Sequence, residues 1–257
     1  MTDAIFCRDG EHRVTATRYA AGPWHPDLQH GGAPSALCVW AAEQVKAPVP
    51  MRVARVTVEL LRPVPVGTLT VDTQVLRQGR KIQLVQVRLL AGDTEVTRAT
   101  VLRIRIAEVA LPRDVAMPSV VSDPDALPPG DLFGRVNFGA NFDIRRERGG
   151  FAELGPGRVW FRQHRATIAG EPVSPAMRAA AVADFSNGIA PVLPFEAWTF
   201  LNADLTISLA REPRGEWIFS DAETWAAEDG IGIAATRLAD RDGYFGRAIQ
   251  SLLLERR

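Results

Sequence analysis

An aspartate inside an apolar helix and a glycine pair at the start of another are the features of this chain best suited to chemistry. Asp184 follows Ala179-Ala180-Ala181-Val182-Ala183 and precedes Phe185. A carboxylate in such surroundings needs partners or a purpose, because an unpaired buried charge is costly. It could act as a general base or as a nucleophile. His30-Gly31-Gly32 opens the other helix. Free N–H groups at a helix start, at the positive end of its dipole, can hold an oxyanion. The plainer reading is that these glycines only permit a tight turn. His30 could orient that loop or move a proton. Gln250 alternates with Ala248 and Leu252. If Leu252 faces the helix so does Gln250, and a buried amide must be satisfied, which holding a water molecule would achieve. Asn202 alternates with Asp204 and Thr206, and one of these should reach the site.

The elements that would position these residues occur twice. A helix is expected over 30–44, apolar nearly all round and therefore buried. Strands are expected over 12–19, 53–61, 69–77, 82–90 and 95–106, with turns at Gly67, Gly79 and Gly92-Asp93. The second helix is expected over 175–189, with Ser174 as N-cap and Pro175 in the first turn. Its strands are expected over 138–146, 158–164, 199–209, 216–226, 231–239 and 246–254. The strand blocks from Gly67 to Arg98-Ala99 and from Gly215 to Arg247-Ala248 have nearly equal length. The first copy has the glycine pair and no helical acid, whereas the second has the acid and no glycine pair. This division implies one composite site at the junction of two like domains. The expected boundaries are 1–107 and 136–257, joined by a linker over 108–135 that holds Pro112, Pro118, Pro124, Pro128 and Pro129.

Composition narrows the function classes. Thirty basic residues balance thirty acidic ones, so nothing favours nucleic acid as a partner. No run of 18 apolar residues marks a membrane span, and Met1-Thr2-Asp3-Ala4 does not resemble a secretory signal. Cys7 and Cys38 are too few for a disulfide framework, so a reducing cytoplasm is the expected compartment. The four histidines and two cysteines have no metal-ligand spacing.

The layout resembles the hotdog fold, and specifically the double-hotdog acyl-CoA thioesterases of the thioesterase II type. The resemblance covers nearly the whole chain. It is carried by His30-Gly31-Gly32, by Val58-Glu59-Leu60-Leu61-Arg62-Pro63, by Ala183-Asp184-Phe185, by Asn202-Ala203-Asp204 and by Ala248-Ile249-Gln250, in that order. It implies an α+β tandem (double) hotdog, two antiparallel sheets each wrapped round a central helix and joined side by side into one extended sheet. The catalytic set it implies is Asp184, Asn202 and Gln250 around a water, with Asn202 where the family has a threonine. Carbonyl donors would come from His30, Gly31 and Gly32.

Further implications follow from the resemblance. The substrate would be a small-molecule acyl-CoA in lipid metabolism. No metal or redox cofactor is implied, and a homodimer is left open. Basic residues should meet the phosphates of coenzyme A, with Arg62, Arg211 and the hairpin Arg77-Gln78-Gly79-Arg80-Lys81 as candidates. Single-hotdog thioesterases carry their helical acid where this chain has Val39. A hotdog hydratase would need a histidine where this chain has Ile189. The remaining alternative is a non-catalytic acyl-CoA or lipid-binding protein with a degenerate site.

Overall fold

The computed structural model describes residues 3–112, 115, 117–120, 122–130, 137–150 and 152–257. Val136, the expected start of the second unit, lies outside the described residues, as do parts of the expected linker. The first half comprises β1 (Ala4–Arg8), β2 (Arg13–Ala16), α1 (Gly32–Gln44), β3 (Met51–Glu59), β4 (Thr68–Gln78), β5 (Ile82–Ala91) and β6 (Thr94–Arg105). The second comprises β7 (Pro129–Gly130), β8 (Phe142–Arg148), β9 (Gly157–Gln163), β10 (Ala166–Ile168), α2 (Pro175–Ala183), α3 (Ser186–Ile189), β11 (Trp198–Asn202), β12 (Asp204–Leu209), β13 (Trp217–Ala226), β14 (Ile231–Asp240) and β15 (Gly243–Arg256).

All the strands of the described residues belong to one 15-stranded sheet. Its seam is β3 against β12, antiparallel, with Val56 opposite Ile207 and Val58 opposite Leu205. All four of these side chains are buried, so each half covers the other's exposed sheet edge with apolar surface. The sheet is not wholly antiparallel. β1 pairs in parallel with β10, placing Phe6 opposite Ile168 and tying the start of the first half to the second. The strand order places β9 and β10 eleven strand spacings apart, roughly 50 Å if the sheet were flat. Yet only His164 and Arg165 separate these strands in the chain, a reach of about 10 Å. The sheet must therefore curl until its distant parts approach.

Helix α1 is buried from Gly32 through Ala42, as its lack of a polar face requires. Arg103 serves its far end by donating to the carbonyl of Val45 and to that of Ala42, which also accepts the Val45 N–H. Helix α2 starts where the cap predicts, with the Met177 N–H donating to Ser174 Oγ at 3.1 Å. It does not run on to Ile189. It stops at Ala183 and resumes as α3 at Ser186. Side chains have taken the carbonyls that would continue the ladder. Ser186 Oγ donates to Ala183 O at 2.6 Å, and the Gln250 amide donates to Asp184 O at 3.3 Å. Asp184 and Phe185 form the break.

The two long helices meet at Gly32. A Cβ there would lie 2.7 Å from both Ala181 O and a ring carbon of Phe138. Neither can yield cheaply, since one is backbone and the other a fully buried ring. Gly32→Ala should therefore destabilise the fold by about 1–3 kcal/mol, the range for overpacking a dense core. Urea unfolding of both proteins measures this, and an unchanged midpoint would rule out the close helix contact.

Candidate active site

Three of the residues singled out from the sequence, His30, Asn202 and Gln250, converge on the carboxylate of a fourth, Asp184. Asp184 at the helix break is buried, and its two oxygens are held from three directions. Oδ1 accepts from Asn202 Nδ2 at 2.8 Å and from Gln250 Nε2 at 3.1 Å. Oδ2 lies 2.8 Å from Nδ1 of His30, whose side chain is only 10% exposed. The imidazole sits between two rings, stacked on Phe138 at 4.7 Å and tilted against Phe185 at 4.6 Å. His30 belongs to the first half and the other three to the second, so the cluster crosses the junction.

Each position has a local cause. Strict alternation along 199–209 would put Asn202 with Asp204 and Thr206, but the structure overturns that grouping. Asn202 pairs with Leu252 and Thr206 with Ile249, so the β11–β12 segment holds one residue more than β15 opposite it. The extra residue at Ala203 is a bulge, and a bulge reverses which face the following side chains take. Asn202 thus shares the inward side with Phe200, Leu205 and Ile207. Asp204 instead accepts the Ser251 N–H at 2.6 Å and stabilises the bulge. The Ala203 carbonyl accepts from Leu60 N–H at 2.9 Å, fastening the bulge to the first half.

Gln250 is wholly buried on the inner face of β15 with Ala248, Leu252 and Leu254. Its amide protons go to the Asp184 side chain and carbonyl, and its Oε1 accepts the Asn187 N–H at 3.2 Å. Both amide protons are then engaged by protein atoms.

The glycines of the His30-Gly31-Gly32 turn prove to serve close approach. Gly31 has φ −58°, a value open to any residue. A Cβ at Gly31 would lie 2.8 Å from each oxygen of Asp184. Its N–H has no protein partner among the described residues. The Gly32 N–H lies 3.1 Å from His30 Nδ1, the atom that also faces Asp184. One ring nitrogen cannot bond to both in one protonation state. With Asp184 ionised, Nδ1 carries the proton and donates to Oδ2.

A cavity of about 340 Å³ opens on this cluster. Its walls include His30, Gly31, Asp184, Asn187 and Asn202, with Trp24, Leu60, Leu61, Val64, Phe200 and Leu253 as apolar surface. Gly32 and Gln250 lie behind the wall. Of the basic candidates, Arg62 lines the cavity. Arg211 does not, since its guanidinium grips the buried Asp240 at 2.5 and 2.7 Å. The 77–81 hairpin also lies away from the cavity. Among the described residues no three His, Cys, Asp or Glu side chains converge as a metal would require.

The model of the acyl-CoA thioesterase N-terminal domain matches residues 20–104, and that of the C-terminal domain matches residues 115–254. The chain belongs to the acyl-CoA thioesterase family. It is a thioester hydrolase. Comparison with curated protein sequences finds no match.

Solved structures similar to this thioesterase show its fold. A hotdog-fold protein of unknown function from Alicyclobacillus acidocaldarius superposes with TM-score 0.77 at 16% identity, covering 98% of this chain and 97% of the other. A protein of Novosphingobium aromaticivorans to which thioesterase activity has been attributed gives 0.75 at 23% identity, covering 98% of each. The acyl-CoA thioesterase II of Mycobacterium marinum gives 0.68 at 16% identity, covering 98% and 96%. This thioesterase therefore has the hotdog fold, mostly sheet with few helices. Among its described residues no helix is long and apolar enough to cross a membrane.

Some cavity residues of this thioesterase escaped sequence reasoning. Asn187 carried a readable signal, being a polar residue one helical turn past Asp184. Its Nδ2 donates to Phe200 O at 2.9 Å. Trp24 carried none, because its ring partners Phe195 and Phe200 lie far away in sequence. Gly31→Ala should push the Asp184 carboxylate aside while leaving the apolar core untouched. We expect kcat/KM to fall by about 10²-fold, the scale for displacing a catalytic group by about 1 Å. The melting temperature should change little. Full activity in the alanine variant would show that the carboxylate does not need this contact.

Proposed function

We propose that this thioesterase hydrolyses an acyl-CoA to the free acid and coenzyme A, with Asp184 as general base. The carrying observation is the convergence of a carboxylate and an unpartnered backbone N–H, that of Gly31, on one largely apolar cavity. In this reading the acyl group lies along Trp24, Phe200 and Leu60, and the thioester carbonyl oxygen accepts the Gly31 N–H. Water, held at Asn202 Oδ1, gives a proton to Asp184 as its oxygen bonds to the carbonyl carbon. The tetrahedral oxyanion is stabilised by the Gly31 donor, an interaction typically worth about 3–4 kcal/mol. Collapse breaks the C–S bond, and the departing thiolate takes the proton from Asp184. His30 and Gln250 aim the carboxylate. His30 supplies an N–H to Oδ2, and Gln250 supplies one to Oδ1.

General base chemistry is favoured over direct attack by the three side-chain hydrogen bonds on Asp184. They fix the carboxylate in place, which suits a base that acts through an intervening water better than an atom that must move to attack carbon. The non-catalytic reading gives way to the hydrolase. We read 1–107 and 136–257 as the two hotdog units joined by 108–135, each sheet half curling round its long helix. The burial of α1 and the short β9–β10 link support that arrangement. Cytoplasmic lipid metabolism remains our proposed setting.

The test is coenzyme A release from a panel of short, long and aromatic acyl-CoAs. Asp184→Asn should lose about 10²–10⁴-fold in kcat/KM, the usual worth of a positioned base. Asn202→Ala removes the hydrogen bond to Asp184 together with the acceptor for the water and should lose about 10–100-fold or more. Asn202→Thr restores a donor and should recover most of that loss. Equal turnover by wild type and Asp184→Asn would sink the assignment of the base.

A further inference from the structure

The cavity reaches both faces of the sheet. Phe200 and Asn202 of β11 point inward and Leu201 points outward, yet all three line it. The cause is an unpaired strand edge. Among the described residues β11 pairs with β15 alone. The line that β3 would take along its other side ends at Glu59, where the Leu60 N–H on Ala203 O closes the seam. Past that point Leu60, Leu61 and Pro63 form the facing wall of the cavity. A gap therefore crosses the sheet between β11 and this segment. Its outer end is apolar. Leu61, Leu201 and Leu253 line the cavity and are nonetheless 49%, 39% and 50% exposed. Leu201 lies opposite Leu253, and Leu253 lies opposite Ile231, itself 59% exposed. These three side chains form one cross-strand row, spanning roughly 10 Å of the outer face. Trp225 lies diagonally beyond Ile231, because its partner Ile233 is two residues along β14. A contiguous exposed apolar patch marks an interaction surface or a ligand groove. Continuity with the cavity selects a ligand that arrives through the cavity.

We propose that the tail of a long acyl chain leaves the cavity through this gap and lies along Leu253 and Ile231 on the outer face. This rests on the acyl-CoA reading above and adds to it a substrate class, long-chain thioesters. The side chains of the row are apolar throughout, which suits a hydrocarbon tail and not the amides of the pantetheine arm. Each methylene seated on the row leaves water, so kcat/KM keeps rising with chain length after the inner cavity is full. A closed pocket would instead set a limit on length. Leu253 and Ile231 are thus specificity-determining residues set apart from the reacting carbon.

Coenzyme A release from butanoyl-CoA and from tetradecanoyl-CoA tests this, because only the second carries a tail that could reach the row. Leu253→Ser/Ile231→Ser should lower kcat/KM for tetradecanoyl-CoA by about 10-fold, the scale of two apolar contacts returned to water. Its kcat/KM for butanoyl-CoA should match wild type. Leu253→Met keeps the apolar surface and should behave as wild type on both. Ile249→Ser is the control, since it makes the same kind of change on the exposed face of β15 away from the cavity and the row. An equal loss on both thioesters would give the row to the pantetheine arm, and no loss on either would leave it without a role. Each result overturns the proposal. So does sedimentation that finds a wild-type dimer and a monomeric double variant, which would give the row to a second copy. Calorimetry with butyl-CoA and tetradecyl-CoA, thioethers that resist hydrolysis, reads binding without turnover. A loss confined to tetradecyl-CoA supports the row even if no thioester is hydrolysed, a result that would count against the hydrolytic reading alone. Equal affinity of wild type and double variant for tetradecyl-CoA overturns the proposal in every case.

Discussion

A carboxylate removed from water must be given hydrogen-bond donors, and at Asp184 no single half of the molecule can supply them. Its side chain is 2% exposed. Uncompensated, a charge so placed would cost several kcal/mol. Asn202 and Gln250 come from two neighbouring strands of the second half, and His30 comes from the turn before α1. The seam between β3 and β12 holds these parts at one place. The junction is thus required by the electrostatics of one residue as well as by the burial of two apolar strand edges.

The same region holds the fold's main departures from regular structure. Helix α2 breaks at Asp184, and the strand opposite β15 carries a bulge at Ala203. Each departure has a chemical consequence. The break frees the Asp184 carbonyl for Gln250 and lets the Asn187 N–H reach Gln250 Oε1. The bulge turns Asn202 inward while keeping Leu205 and Ile207 in the core. The two hydrogen bonds to Oδ1 follow from these irregularities, which regular helix and strand geometry would not permit.

The glycines divide their labour in a way that conformation alone does not explain. Neither has a positive φ. Gly32 allows α1 and α2 to approach until backbone and ring touch its Cα, whereas Gly31 allows the carboxylate to lie against the turn. One serves the packing of two helices and the other the placement of a charge. Both depend on the absence of a side chain.

Much was legible in the chain itself. Periodicity located most of the long strands, the cap at Ser174 located the start of α2, and the duplication indicated that the glycine turn and the acid would come from different halves. An acid among alanines and an amide alternating with Ala248 and Leu252 marked Asp184 and Gln250, because local polarity conflicts with local burial there. What the chain could not reveal were contacts between residues far apart in sequence. The parallel pairing of β1 with β10, the stacking of Phe138 on His30 and the seating of Arg257 over Trp24 all join segments that share no local pattern. The bulge at Ala203 was equally hidden, because it is defined by the count of residues on two strands at once. Sequence determined which residues must be buried and which of those were polar. Tertiary structure decided which partners satisfied them, because a hydrogen bond depends on distance and direction in space and not on separation along the chain.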